Sequence, residues 1–342
     1  NKLKNNSNFF DAYLLLIVDN LKKNNLDQAY KNSEIAIKQI PLDRFNLAIL
    51  ESLQQLIFTF KEKEIIKEKN NYGKLTFISE TFQKCYLGDE KTDSYFKNLY
   101  NDKEADYTRY IFFYLSYLIE NNRLADAEEI TDDLEYINTS LLLSQGKSWI
   151  ENNDSENIVK IFSCKNSNDI VSEFLFLISN LYSSQENYNK SNFFLNISYF
   201  LNPKFKFNLS LVAENQYLNK EYKKAKKTIK IFDAEDQFYY WYRIKKEAQI
   251  ILKQKSKQDS LTYIKEKFNK IEKKNNKFFL DIANFYRNLK EYKDAIKYYT
   301  KILDTLDKDS EIKSDILYRR GGSYERLGVY KKADEDLLNS LR

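Results

Sequence analysis

A small side chain followed four residues later by a larger one recurs along this chain at Ala127, Ser191, Ala225, Ser260, Ala295 and Ala333, with Ile158 filling the same place once. The successive spacings are 31, 33, 34, 35, 35 and 38 residues. An aromatic or aliphatic residue three positions earlier keeps the register at Leu124, Tyr188, Tyr222, Tyr292 and Tyr330. The clearest unit runs over 278–303, FFLDIANFYRNLKEYKDAIKYYTKIL. Phe279, Ile282, Ala283 and Tyr286 lie on one face of a first helix, Lys290 and Glu291 make a turn, and Tyr292, Ala295, Ile296, Tyr299 and Ile302 lie on one face of a second. Two helices with one apolar stripe each cannot bury themselves alone, so the pattern predicts stacked helical pairs, a scaffold architecture.

The same residues resemble the tetratricopeptide repeats. Phe279-x-x-Ile282-Ala283-x-x-Tyr286 followed by Ala295-x-x-x-Tyr299 matches that family's pattern, as does Leu317-x-x-Arg320-Gly321-x-x-Tyr324 followed by Gly328 and Ala333, with Arg320 in place of the usual Leu. Leu175-x-x-Ile178-Ser179-x-x-Tyr182 with Ser191 adds Pro203, twelve residues after Ser191. Pro41 stands twelve after Ala29, which makes Ala29 the anchor of an N-terminal repeat with Tyr13, Leu16 and Ile17 in its first helix. The resemblance divides the chain into degenerate N-terminal helical repeats at 1–106 and a continuous array at 107–342. The last unit is also similar to alphaproteobacterial-type repeat proteins of undefined function.

The resemblance implies an all-α, right-handed superhelical array of antiparallel helix pairs. It also implies a concave groove along the first helices. Carried onto this chain, the groove comprises Phe176, Asn180, Glu214, Tyr217, Tyr242, Lys245, Gln249, Asn284, Arg287, Tyr318, Glu325 and Arg326. Some family members clamp a chaperone's terminal carboxylate with Lys and Asn on that face. Here Lys245 is paired with Gln249 and Leu280 stands where a Lys would help, so the expected occupant is an extended or helical protein segment in a mixed polar and aromatic groove.

Composition narrows the chemistry. Only 6 Gly and 2 Pro among 342 residues leave little to interrupt helices, and a period near 34 allows about nine or ten units. With no His and 2 Cys, the usual catalytic and zinc-binding sets are missing. Cys85 and Cys164 have no paired spacing and read as small buried apolar residues, which leaves the compartment open between cytoplasm and periplasm. No Gly-rich phosphate loop occurs, since Gly321 and Gly322 fall inside a predicted helix, and carboxylate pairs such as Asp132 and Asp133 sit in charged segments. The expectation is a non-enzymatic protein without metal or cofactor. The apolar run 9–18 is too short to span a bilayer.

In chain order, helices are predicted over 9–40 as a pair, over 43–69 as one or two, and over 72–87. The acidic stretch 88–106 is expected to be a loop or register break. The 139–163 unit is short, with Gly146 and Trp149 in its first helix. Charge is uneven: residues 219–277 hold 18 Lys and Arg against 8 Asp and Glu, whereas 89–135 hold 5 against 13. The basic band, with Lys223, Lys226, Lys227 and Lys230 on one stripe, supports a rival reading as a nucleic-acid or anionic-membrane surface. Phe238 to Tyr242 with Lys245 and Lys246 is the best aromatic and basic cluster, most of it expected to pack internally. A second rival is an architectural subunit of a larger assembly. The apolar stripe Leu337, Leu338 and Leu341 leads to the expectation that the natural chain continues past Arg342 or is covered there.

Overall fold

The computed structural model describes residues 10–39, 42–66, 70–102, 107–306 and 311–341. Among these the chain is all-α, with 19 α-helices and no strand. They are α1 (Phe10–Lys22), α2 (Leu26–Gln39), α3 (Arg44–Glu62), α4 (Lys74–Leu87), α5 (Thr92–Tyr100), α6 (Tyr110–Glu120), α7 (Leu124–Asp132), α8 (Leu141–Glu151), α9 (Glu156–Ile161), α10 (Ser167–Ser184), α11 (Tyr188–Leu201), α12 (Phe207–Leu218) and α13 (Tyr222–Ile229). The series continues with α14 (Gln237–Gln254), α15 (Lys257–Asn269), α16 (Asn276–Asn288), α17 (Tyr292–Leu303), α18 (Glu311–Arg326) and α19 (Tyr330–Asn339). Pro41 and Arg342 lie outside the described residues.

One turn geometry recurs. Asn24, Asn122, Asn153, Glu186, Lys220 and Lys290 have positive φ between 56° and 64°, and Gly328 has φ 74°. Each stands five residues before a member of the spaced series: Ala29, Ala127, Ile158, Ser191, Ala225, Ala295 and Ala333. The hydrogen bonds repeat with the angles. The next residue donates its N–H five back, as Asn187 to Tyr182 O, Glu291 to Tyr286 O and Val329 to Tyr324 O. This left-handed closure satisfies carbonyls that the ending helix would leave unpaired. Within the spaced series the turn at Lys255 differs, with φ −129°; there the Ser256 side chain caps α15 by accepting the Asp259 N–H instead.

The spaced residues themselves are core. Ala29, Ala127, Ile158, Ser191, Ala225, Ser260 and Ala295 are fully buried, and Ala333 almost so. Gly321 shows why small residues are needed at such crossings: a β-carbon there would lie 3.0 Å from Leu337 Cγ and 3.1 Å from Asp336 Cβ, tighter than ordinary packing. Gly146 plays the same part for α8, where a β-carbon would meet the Phe112 ring at 2.9 Å.

The chain divides into two compact units, one of residues 1–131 and 145–229, the other of 132–144 and 230–342. In the second unit α14 packs on α15, and α16, α17, α18 and α19 pack each on the next, around a shared core of Trp241, Ile264, Phe268, Phe278, Ile282, Tyr299 and Ile316. A short 3-10 turn, Tyr136–Asn138, joins this core from earlier in the chain: Tyr136 stacks on Phe238 at 5.5 Å, Ile137 is buried, and Lys277 donates to Thr139 O.

The first unit is organised differently. Helices α1 to α6 follow one another, but α1 also packs on α10 and α11, and α10 on α3 and α4. Phe10 meets Phe194, Lys190 pairs with Asp11, and Lys22 Nζ donates to Leu201 O at 2.8 Å, contacts 179 or more residues apart in sequence. Two expectations fail here. The described part of the stretch, 88–102, is not a continuous loop, because Phe96 and Leu99 fall on one face of α5 and are fully buried despite the acidic surroundings; residues 103–106 lie outside the described residues. Cys85 and Cys164 are not separate apolar fillers; they form a disulfide that ties α4 to the loop after α9 across 79 residues. Their wide spacing concealed the pairing, since proximity comes from Phe82 of α4 meeting Phe113 of α6 and Phe162 just after α9.

Candidate functional site

Eight of the expected groove residues belong to the second unit, on its three first helices. α14 carries Tyr242, Lys245 and Gln249, α16 carries Asn284 and Arg287, and α18 carries Tyr318, Glu325 and Arg326. All eight are partly or well exposed, Tyr318 to 62%, although Ile244, Ala248, Ile282, Ala283 and Leu317 beside them are buried. This is how amphipathic helices behave when one face packs and an adjoining face is left to solvent.

Polar contacts link the three helices. Lys245 Nζ on α14 reaches Asp281 Oδ2 on α16 at 2.6 Å, and Trp241 Nε1 donates to the same oxygen at 2.9 Å. Asn284 Oδ1 accepts from Tyr299 OH at 2.7 Å and from Arg319 Nη1 on α18 at 3.4 Å. Burial raises the Tyr299 pKa, while Arg287 and Arg319 oppose the rise. Lys277, on the same helix as Asp281, has its pKa lowered by burial and by the nearby Lys245, with Asp281 acting against both. Asp281 and Arg319 were missed by sequence reasoning, yet the register could have found them. Asp281 lies three residues before Asn284 and four after Lys277, on one side of α16. Gln249 Oε1 is buried without a hydrogen bond among the described residues.

The remaining expected groove residues lie in the first unit. Phe176 is only 4% exposed, held between Phe205 at 6.1 Å, Phe207 at 5.2 Å and the Arg109 guanidinium at 4.5 Å, so it serves the core instead of a binding face. Asn180 is exposed, and Glu214 and Tyr217 are half-buried on α12. The inward turn of Phe176 has a physical cause: Arg109 needs aromatic and carboxylate neighbours once it is buried.

The basic band 219–277 is divided between the units, with 219–229 in the first and 230–277 in the second. Lys223, Lys227 and Lys230 are exposed. The aromatic run 238–242 is largely structural, with Phe238, Tyr239 and Trp241 buried and Tyr242 half-buried.

Buried charge elsewhere is architectural. Arg109 pairs with Glu173, which is 1% exposed, and burial lowers the Arg109 pKa. Asp169 accepts the Ser163 N–H at 3.0 Å; burial pushes its carboxyl up to about 7 against that bond and against Lys204 and Lys22, with Glu120 adding to the rise. Among the described residues no group of His, Cys, Asp and Glu could hold a metal ion, and no helix is long and apolar enough to cross a membrane. No family model matches the chain, and no curated protein sequence matches it.

Proposed function

We propose that this protein is a tetratricopeptide-like, non-enzymatic scaffold that holds a segment of a partner protein on the polar and aromatic row of its second unit. The observation that carries the reading is the row itself. Tyr242, Lys245, Asn284, Arg287 and Tyr318 stay accessible on α14, α16 and α18 while the residues interleaved with them are buried. Aromatic and arginine side chains supply much of the energy of protein interfaces, and a row of them across successive helices is a surface on which a partner segment can lie. The recurrent left-handed turn supports a repeat array, and within it the right-handed superhelix is part of this proposal.

The compartment belongs to the same reading. A buried disulfide formed by the chain's only two cysteines fits an oxidising environment such as the periplasm, where such bonds persist. The rival anionic-surface reading is favoured by one observation, the exposed Lys223, Lys227 and Lys230, which form no ion pair among the described residues.

The test is affinity capture with the full chain followed by crosslinking of the recovered partner. The reading expects crosslinks at α14, α16 and α18 and weaker capture after Lys245→Ala with Arg287→Ala, at unchanged melting temperature. Loss of binding only with Lys223, Lys227 and Lys230 substitutions, together with steep salt dependence, would establish the anionic-surface rival instead. Binding untouched by either set would favour the architectural subunit.

A further inference from the structure

The first unit contains a cleft of about 580 Å³ that the row in the second unit does not explain. Its walls come from Phe45 and Ala48 on α3, Leu75 and Ile78 on α4, and Leu177 and Leu181 on α10. The volume is that of a small-molecule site, and the lining is mostly apolar. Among the described lining residues two are cations, Arg44 and Lys74, and none is a carboxylate. Lys74 is partly committed to Asp102, whereas Arg44 is exposed and forms no ion pair among the described residues. At the same end, α4 begins at Lys74, and the preceding Gly73 provides no side-chain cap.

The polar groups at the rim are engaged within the protein. Tyr72 OH donates to Glu51 Oε2 at 2.6 Å, and Asn71 Oδ1 accepts the Gly73 N–H at 2.8 Å. This decides between two kinds of anionic occupant. A polypeptide terminus would bring an N–H and a C=O per residue against the apolar side chains of Phe45, Ala48, Leu75, Ile78, Leu177 and Leu181, which offer them no partner, at a cost of a hydrogen bond each. An alkyl chain brings no such groups and gains from every methylene it buries. We propose that this cleft binds a long-chain carboxylate, with the alkyl chain between α3, α4 and α10 and the carboxylate on Arg44.

The experiment is calorimetric titration of the full chain with dodecanoate, dodecanol and dodecyltrimethylammonium, each below its micelle-forming concentration. The expected result is one saturable dodecanoate site per chain, weaker binding of the alcohol and none of the cation. Arg44→Gln should raise the dodecanoate Kd at least five-fold, and Leu181→Glu, which puts a carboxylate at the mouth, should abolish binding. Both positions are at the surface, and melting curves establish that the variants fold. The proposal is overturned by the absence of a saturable site or by equal binding of all three head groups. It also fails if binding ignores Arg44→Gln but is lost on Phe200→Ser, which would place the ligand in the other apolar groove, between α1 and α11. Displacement of dodecanoate by a short apolar peptide with a free carboxyl terminus, at lower concentration and with the same Arg44 dependence, would show that the occupant is a polypeptide.

Discussion

The two units use the same helical pairs and the same left-handed turns but close their cores in different ways. In the second, α14 to α19 pack on sequence neighbours, with one imported turn at Tyr136–Asn138. In the first, α1 packs on α11, α10 reaches back to α3 and α4, and a disulfide spans 79 residues. A unit built from neighbours can be stabilised pair by pair. A unit closed by distant contacts must pay loop entropy before those contacts form, and a covalent link that restricts the unfolded chain counters that cost. The difference therefore predicts where a redox change is felt.

The largest effect is expected from removing the disulfide. For a loop of this length the chain-entropy estimate is about 4.5 kcal/mol, and it should fall on the first unit. Cys85→Ser with Cys164→Ser, followed by hydrogen exchange, should lose protection in α4, α6, α9 and α10 and leave α16 and α17 protected. Equal loss in both units would break the comparison, and no loss at all would show that the cross-link contributes nothing. In the native protein, thiol alkylation before and after reduction should label neither cysteine and then both.

In the second unit the comparable lesion is steric. Ala295 is fully buried between neighbouring helices, so Ala295→Glu should cost about 2–5 kcal/mol through overpacking and an unpaired buried charge. Lys297→Glu, two residues away and exposed, should change little. Equal melting temperatures for wild type and Ala295→Glu would remove the register on which the whole reading of the second unit depends.

How much was legible follows the same division. Ala295, Ala333 and their partners could be placed because neighbour packing leaves a period in the sequence. Helix α5 was hidden because Phe96 and Leu99 are only two apolar anchors in an acidic stretch, and charge dominated the reading. The disulfide, the Lys190–Asp11 pair and the Arg109–Glu173 pair were hidden because no local rule connects residues so distant. Phe176 was misplaced for the same reason: its inward position depends on Arg109, from a different helical pair. The accessibility of the expected groove positions on α14, α16 and α18 was legible from the helical register, whereas the contacts through Asp281 and Arg319 required the neighbouring helices to be set beside each other.

A smaller effect should be confined to the first unit and to pH. Asp169 has its carboxyl raised to about 7 by burial, so the folded protein holds that proton more tightly than the unfolded chain does. Where the native state binds more protons, stability falls as pH rises. The fall should run between the ordinary carboxylate range and about 7. Asp169→Asn keeps an acceptor for the Ser163 N–H and removes the titration, so it should stabilise by about 1–3 kcal/mol at pH 8 and by progressively less as the pH falls from about 7 into the ordinary carboxylate range. Denaturant titrations at several pH values check this. A pH-independent difference would mean that the carboxylate is not the source.

The smallest effect tests what the units share. Lys290 and Glu186 hold left-handed conformations that a β-carbon disfavours, one in each unit. Glycine removes that strain at the expense of greater freedom in the unfolded chain. The net gain expected for Lys290→Gly or Glu186→Gly is about 0.5–1 kcal/mol, while Gly328→Ala should lose about 1 kcal/mol because its φ of 74° stays unfavourable for alanine. Asn122→Gly should be nearly neutral, since asparagine tolerates this region. Matched shifts at Lys290 and Glu186 in denaturant midpoints would show that the turns are equivalent and that the units differ only in how their cores close. A gain at Lys290 with none at Glu186 would mean that the distant contacts of the first unit also hold its turns, and the contrast between the units would then extend to their local geometry.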